Sequence, residues 1–317
     1  MKDLSIVIPC YNEEESLYPL YDQIVEAVRP LKLDFEIILV DDGSTDQSPI
    51  REIELYQRDP QHIKIIQLRK NMGKAAALAL GFSESEGNYV VTMDADLQDD
   101  PQEIKNLIGK LEEGYDLVSG WKKTRHDPLG KTLPSRLFNW VVSRMSGIRI
   151  HDFNCGLKIY RREVIQNFPV YGEMHRYLPV LAFWQGFRIG EIPVQHHARR
   201  FGTSKYGVSR MLKGFLDLLT IIFLNRYAKR PLHFFGAIGV GIGLIGMIIN
   251  LYVVGLWIHF GNIQNRHPLL SLGILLTTVS IQFLSTGLLG ELLVKMNISD
   301  EKKYPIKQLF GCNSLRK

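Results

Sequence analysis

Along roughly the first 200 residues, short unbroken apolar runs alternate with stretches in which apolar residues recur every three or four positions. The runs Leu4–Pro9 (LSIVIP), Phe35–Asp42 (FEIILVDD), Ile63–Leu68 (IKIIQL) and Asn88–Asp94 (NYVVTMD) are rich in β-branched residues and read as strands. Glu14–Val28 and Gly73–Ser85 read as helices between them. Strands this uniformly apolar are buried on both faces. Alternation with helices therefore predicts an α/β domain with a mostly parallel sheet covered on both sides. Ligands of such sheets sit at the carboxyl ends of the strands.

The pattern changes after about residue 230. No Asp, Glu, Lys or Arg occurs from Leu232 to His259 or from Pro268 to Gly290. Each run exceeds the roughly 20 residues that span a bilayer, and the short link GNIQNRHP predicts a transmembrane hairpin. Arg226, Lys229 and Arg230 precede the first run, and Lys295, Lys302 and Lys303 follow the second. The link carries only Arg266 and a histidine, so both ends and the large domain are expected on the cytoplasmic side of the inner membrane. Within the first run, GIGLIG (Gly241–Gly246) matches GxGxxG but neither follows a soluble strand nor opens a βαβ unit, so it is not read as a dinucleotide site. The overlapping Gly239 and Gly243 have the spacing of close helix packing. Leu133–Met145 and Val208–Arg230 mix apolar residues with Arg and Lys and read as amphipathic helices at the membrane surface. The expected division is a catalytic domain over 1–207, a juxtamembrane helix over 208–230, the hairpin over 231–296 and a cytoplasmic tail over 297–317. Short membrane hairpins pack with copies of themselves, so a homo-oligomer is expected.

Composition adds little to this picture. The 317 residues are 45% hydrophobic with a formal net charge of +5, and the basic residues gather beside the membrane segments. That placement fits a lipid surface better than an aromatic-studded nucleic-acid groove. Cys10, Cys155 and Cys312 are odd in number and form no CxxC, which points to a reducing compartment. The N-terminus MKDLSIVIP reads as a strand rather than a signal peptide.

The candidate chemistry lies where the fourth strand ends in VVTMDADLQDDP. In an extended chain Asp94, Asp96 and Gln98 point the same way. Adjacent carboxylates repel unless a cation lies between them, and oxygen ligands suit Mg2+ or Mn2+ bound with substrate phosphates. Asp99 and Asp100 fit a solvated acidic turn that starts a helix at Pro101. DxD alone is a weak signal. The other strands end in PCYNEEESL, VDDGSTD and RKNMGKAAAL at the same sheet edge. There Asp41 or Asp42 can accept from a base or ribose, and Asn71 to Lys74 can place backbone and a cation near phosphate.

In this order these segments resemble glycosyltransferase family 2. DFNCGLKIYRREV (Asp152–Val164), RRFGTSKYG (Arg199–Gly207) and the paired C-terminal helices are similar to its polyprenyl-phosphate members, including bactoprenol glucosyltransferases and, more distantly, dolichyl-phosphate mannose synthase. The resemblance implies a GT-A-type nucleotide-sugar-binding domain. It implies that Pro9, Tyr11, Glu13 and Asp41 or Asp42 hold the nucleoside. Asn71, Lys74 and Asp94–Ala95–Asp96 would contact the rest of the nucleotide sugar, and Asp94, Asp96 and Gln98 would hold Mg2+ or Mn2+. Arg200 and Lys205 would close over the diphosphate. Arg125, Ser135 and Arg136, with Lys131, would bind the acceptor phosphate. Processive polysaccharide synthases carry a QxxRW motif, which WQGFR (Trp184–Arg188) does not match.

The implied reaction is inverting transfer of a hexose to undecaprenyl phosphate, with UDP-glucose favoured and GDP-mannose or another donor as the alternative. A lipid monophosphate is already ionised near neutral pH, so it needs cations to position it more than a base; Asp152 and Glu173 are the nearest carboxylates and neither is assigned that role. A reading from another class is a non-catalytic membrane sensor of nucleotide sugar or lipid phosphate. The intact DxD argues against it.

Overall fold

The computed structural model describes residues 2–123, 139–166, 176–197, 230–263 and 265–296. The chain divides into two compact units, Met1–Leu218 and Leu219–Lys317.

In the first unit the apolar runs form strands as expected: β1 (Leu4–Cys10), β2 (Phe35–Asp41), β3 (Ile63–Gln67) and β4 (Tyr89–Thr92). They alternate with α1 (Leu17–Val28), α2 (Ser48–Arg58) and α3 (Lys74–Ser83). After α4 (Glu103–Glu112) come β5 (Leu117–Trp121), a helix α5 over 139–146, β6 (Lys158–Arg161), α6 (Arg162–Gln166), α7 (Leu178–Trp184) and β7 (Ile189–Pro193). The seven strands form one sheet in the order β3-β2-β1-β4-β6-β5-β7. Only β6 runs against its neighbours. The carboxyl ends of the other six strands therefore share one edge.

The helices cover both faces because their apolar residues recur at helical spacing. In α1, Leu17, Leu20, Tyr21, Ile24, Val25 and Val28 are buried, and in α4, Ile104, Leu107 and Leu111. Helix α3 is built from small residues because it lies close to β1: a Cβ at Gly81 would come within 2.2 Å of Val7 Cγ1. Helix α4 starts two residues later than Pro101. Asp100 accepts from the Gln102 N–H (2.9 Å) and caps the preceding turn. Of the two amphipathic segments, 133–138 and 208–229 lie outside the described residues; within 139–146, Trp140 is exposed and Asn139 and Val142 are buried.

The second unit contains α8 (Pro231–Phe260) and α9 (His267–Met296), with mean hydropathy 2.2 and 1.7 over their most apolar windows. Thirty residues of α-helix rise about 45 Å, enough to cross a hydrocarbon core of about 30 Å. Gly239, Gly243 and Gly246 of α8 lie against α9. A Cβ at Gly239 would meet the Ser280 carbonyl oxygen at 3.0 Å, and one at Gly246 would meet the Gly273 carbonyl at the same distance. The GxxxG spacing thus serves packing inside the hairpin. Leu244, Ile248 and Leu251 on α8 and Leu275, Leu289 and Leu293 on α9 face outward.

Candidate active site

At the shared sheet edge, the turns after β1 and β2 are stitched together. Asn12 adopts a positive φ of 54°, its N–H donates to Ser44 Oγ (2.9 Å), and its Oδ1 accepts from the Thr45 N–H (2.8 Å). The Glu13 N–H donates to Ser48 Oγ (2.8 Å). Gly43 has φ +70°, and a Cβ there would lie 2.5 Å from the Lys70 carbonyl carbon, so conformation and space both require glycine in DDGS.

The two carboxylates of that motif are buried. Asp41 accepts from the Ser44 N–H (3.1 Å) and hydroxyl. Asp42 accepts from the backbone N–H groups of Met72 (2.7 Å) and Gly73 (2.9 Å). It thereby fixes the β3–α3 turn and points the first residue of α3, Lys74, across the edge. Pro9, Tyr11 and Glu13 are partly exposed beside these turns, and Asn71 is exposed on the turn that Asp42 holds. Behind them Glu52 is wholly buried. Burial pushes its pKa up to about 8, against the Gln67 amide, which donates to Oε2 (3.2 Å) and pulls it down. Burial also raises the Cys10 thiol well above its ordinary value, so it is an inert core side chain.

The acidic segment after β4 keeps the alternation of a strand despite the positive φ of Leu97 (59°). Met93, Ala95 and Leu97 are buried, whereas Asp94, Asp96 and Gln98 are half-exposed on the opposite side. The Gln98 N–H donates to Asp96 Oδ1 (3.2 Å). Asp94 is ion-paired to Lys74, and its carboxylate lies over Gly156, where a Cβ would sit 2.7 Å from Oδ2. Expectation and structure part at Asp99: it is buried and paired with Lys122 (3.0 Å) rather than solvated. Burial draws the Lys122 pKa down, but Asp99 foremost, with Cys155 and Asp94, outweighs it and leaves the pKa raised, so this lysine is a permanent cation under the site.

Two further segments brace the acidic one. The turn over residues 152–157 is held from below by Lys158, whose ammonium donates to the carbonyls of Phe153 (3.4 Å) and Cys155, and Thr92 Oγ1 donates to the Gly156 carbonyl (2.8 Å). Asp152 is buried and caps this turn by accepting from the Asn154 N–H (3.0 Å). After β7, the His197 N–H donates to the Gln98 carbonyl (2.9 Å), and His197 Nε2 lies 3.3 Å from Asp100 Oδ2. Arg125, Lys131, Ser135, Arg136, Glu173, Arg200 and Lys205 lie outside the described residues.

A row of two half-exposed carboxylates and one amide fits a hard divalent cation. Among the described residues no three His, Cys, Asp or Glu side chains converge as a complete metal cage. Mg2+ or Mn2+, which take part of their coordination from water and substrate phosphates, match such a partial oxygen set; zinc does not. Sequence reasoning missed Lys122, Lys158, Gly156, the burial of Asp99 and the His197 brace. Only the position of Gly156 and Lys158 inside DFNCGLK hinted at them.

The chain has known relatives. Residues 5–168 match glycosyl transferase family 2. The chain is 39% identical to a dodecaprenyl-phosphate galacturonate synthase of Rhizobium johnstonii, over 98% of this chain and 94% of that protein. It is 35% identical to an undecaprenyl-phosphate 4-deoxy-4-formamido-L-arabinose transferase of Yersinia pestis, again over 98% and 94%. The fold is shared with glucosyl-3-phosphoglycerate synthase from Mycobacterium tuberculosis, solved with Mn2+, uridine diphosphate and phosphoglyceric acid: TM-score 0.56 at 20% identity, over 71% of this chain and 78% of that one. With more than half its length matched and its sheet edge built as described, the chain belongs to glycosyl transferase family 2.

Proposed function

We propose that the protein transfers a sugar from a UDP-linked donor to a polyprenyl phosphate at the membrane surface, inverting the anomeric centre. The reading rests on the half-exposed row of Asp94, Asp96 and Gln98 at the end of β4, in a chain similar over 98% of its length to a polyprenyl-phosphate sugar synthase. Pro9, Tyr11 and Glu13 bind the nucleoside, with the remaining lone pairs of Asp41 or Asp42. Asn71 and the amino end of α3 face the diphosphate, where helix N–H groups favour an anion. Asp94, Asp96 and Gln98 hold Mg2+ or Mn2+, which neutralises charge developing on the leaving diphosphate. Arg200 and Lys205, three and eight residues past the anchored His197, supply cations to the same leaving group. Arg125, Lys131, Ser135 and Arg136, beyond the end of β5, orient the acceptor phosphate. A phosphate oxygen attacks C1, the bond from C1 to the diphosphate breaks, and its electron pair leaves with UDP. No base is needed, because the acceptor arrives ionised. The hairpin crosses the inner membrane with both chain ends cytoplasmic, and copies associate through it.

UDP-glucose is the donor favoured by the resemblance to bactoprenol glucosyltransferases. The relatives, a galacturonate synthase and a formamido-arabinose transferase, put UDP-galacturonate beside it. The test is transfer of radiolabel from UDP-glucose, UDP-galacturonate, UDP-N-acetylglucosamine and GDP-mannose to undecaprenyl phosphate by purified protein in detergent with Mn2+. Label in the lipid phase from one donor, lost in Asp96→Ala, supports the reading and names the sugar. UDP binding without label from any donor would favour a non-catalytic sensor.

A further inference from the structure

The Lys74–Asp94 ion pair has a consequence for how the site fills. Lys74 is the first residue of α3, and its backbone is held there because Asp42 accepts from the two N–H groups just before it (2.7 and 2.9 Å). Its ammonium pairs with Oδ1 of Asp94. The other oxygen, Oδ2, has Gly156 immediately behind it, close enough that even a methyl group there would overlap it. The carboxylate is therefore fixed from two sides, with the Gly156 turn pinned by Thr92 and Lys158. It cannot swing back to admit a second cation, and an ammonium and a divalent ion cannot share Oδ1 at close range without strong repulsion. Lys74 has the opposite freedom. Its four-carbon stem is flexible and its side chain is one-third exposed.

From this geometry, and resting on the proposed metal–diphosphate reading, we infer that Lys74 is an exchangeable counter-ion of Asp94, displaced by the divalent cation and taken up by the donor diphosphate. The exchange couples the two ligands. A metal ion arriving alone must expel Lys74 into water. One arriving with a diphosphate gives the ammonium a new anionic partner. Free metal thus binds weakly and the metal–nucleotide pair binds tightly. The neighbouring lysines Lys122 and Lys158 do not take part: Lys122 is largely covered and paired with Asp99, and Lys158 is buried and donates to backbone carbonyls.

The test is Mn2+ binding by the full-length protein in detergent, measured from the paramagnetic resonance signal of unbound Mn2+ with and without UDP, for the native chain, Lys74→Met and Lys74→Arg. In the native chain UDP should tighten Mn2+ binding by at least about tenfold, inside the usual range of about 5- to 150-fold for coupled sites. Lys74→Met should bind Mn2+ alone about tenfold more tightly than the native chain and lose most of the UDP enhancement. Lys74→Arg, which keeps the charge, should stay close to native. If Lys74→Met binds Mn2+ alone no better than the native chain while UDP still enhances it, the counter-ion role is wrong and the metal reading stands. If no protein binds Mn2+ with or without UDP, both fall.

Discussion

The two acidic pairs at the sheet edge look alike in sequence and differ in the fold. Asp41 and Asp42 end β2, and Asp94 and Asp96 follow β4. The first pair is buried, and its oxygens accept from the backbone of the neighbouring turns. The second is half-exposed, aligned by strand-like alternation, and faces a lysine. An acidic residue at a strand end is therefore not by itself a metal ligand. Where N–H groups surround it, it builds the loop. Where it alternates with buried Met93, Ala95 and Leu97, it is presented to solvent.

That contrast breaks most clearly under substitution. Asp96→Ala should lower the transfer rate by at least about 10²- to 10³-fold, the scale of losing one electrostatic anchor of the transition state, and leave the melting temperature nearly unchanged. Asp42→Ala should differ by losing stability as well as transfer, because the same carboxylate holds the β3–α3 turn and is offered to the nucleoside. It leaves the Met72 and Gly73 N–H groups without their carboxylate and should cost about 2–3 kcal/mol of stability, read from thermal or urea melting. If the two variants gave the same profile, the distinction between ligand and scaffold would be lost. Gly156→Ala tests the seat of Asp94 and should reduce transfer about tenfold with little loss of stability, because the added methyl pushes the carboxylate rather than the core.

The last effect concerns Glu52 and shows only at high pH. Its folded pKa of about 8 lies above its ordinary 4.5, so the folded chain holds the proton more tightly than the unfolded one. That stabilisation is complete below about pH 4.5 and is lost as pH rises through about 8. Glu52→Gln, which keeps a neutral side chain at every pH, should melt like the native chain near pH 5. At pH 9 it should melt higher by several degrees, as read by thermal melting at both pH values.

Much of this was legible in the chain. The unbroken apolar runs placed four strands within two residues of their ends, and the charge-free runs marked the hairpin, because burial on both faces and a lipid environment each leave an uninterrupted apolar signature. The period-2 spacing of Asp94, Asp96 and Gln98 put them on one side, and they share it. What was not legible depends on contacts distant in sequence. Nothing local separates Lys122, paired with buried Asp99, from its exposed neighbour Lys123. Nothing in DDGSTD says that Asp42 will turn toward residues 72–73, some 30 positions on. The reversed β6 was equally hidden, since KIYR carries no sign of its direction.

The most direct test of the account is calorimetric titration of UDP into the full-length protein with Mn2+, with EDTA, and with Asp96→Ala in Mn2+. Tight binding is expected only for the native chain with Mn2+, weakened by at least about tenfold in each of the other two cases, about 1.4 kcal/mol. Equal UDP affinity in all three would contradict it, because Asp94 and Asp96 would then not be holding a metal-bound diphosphate.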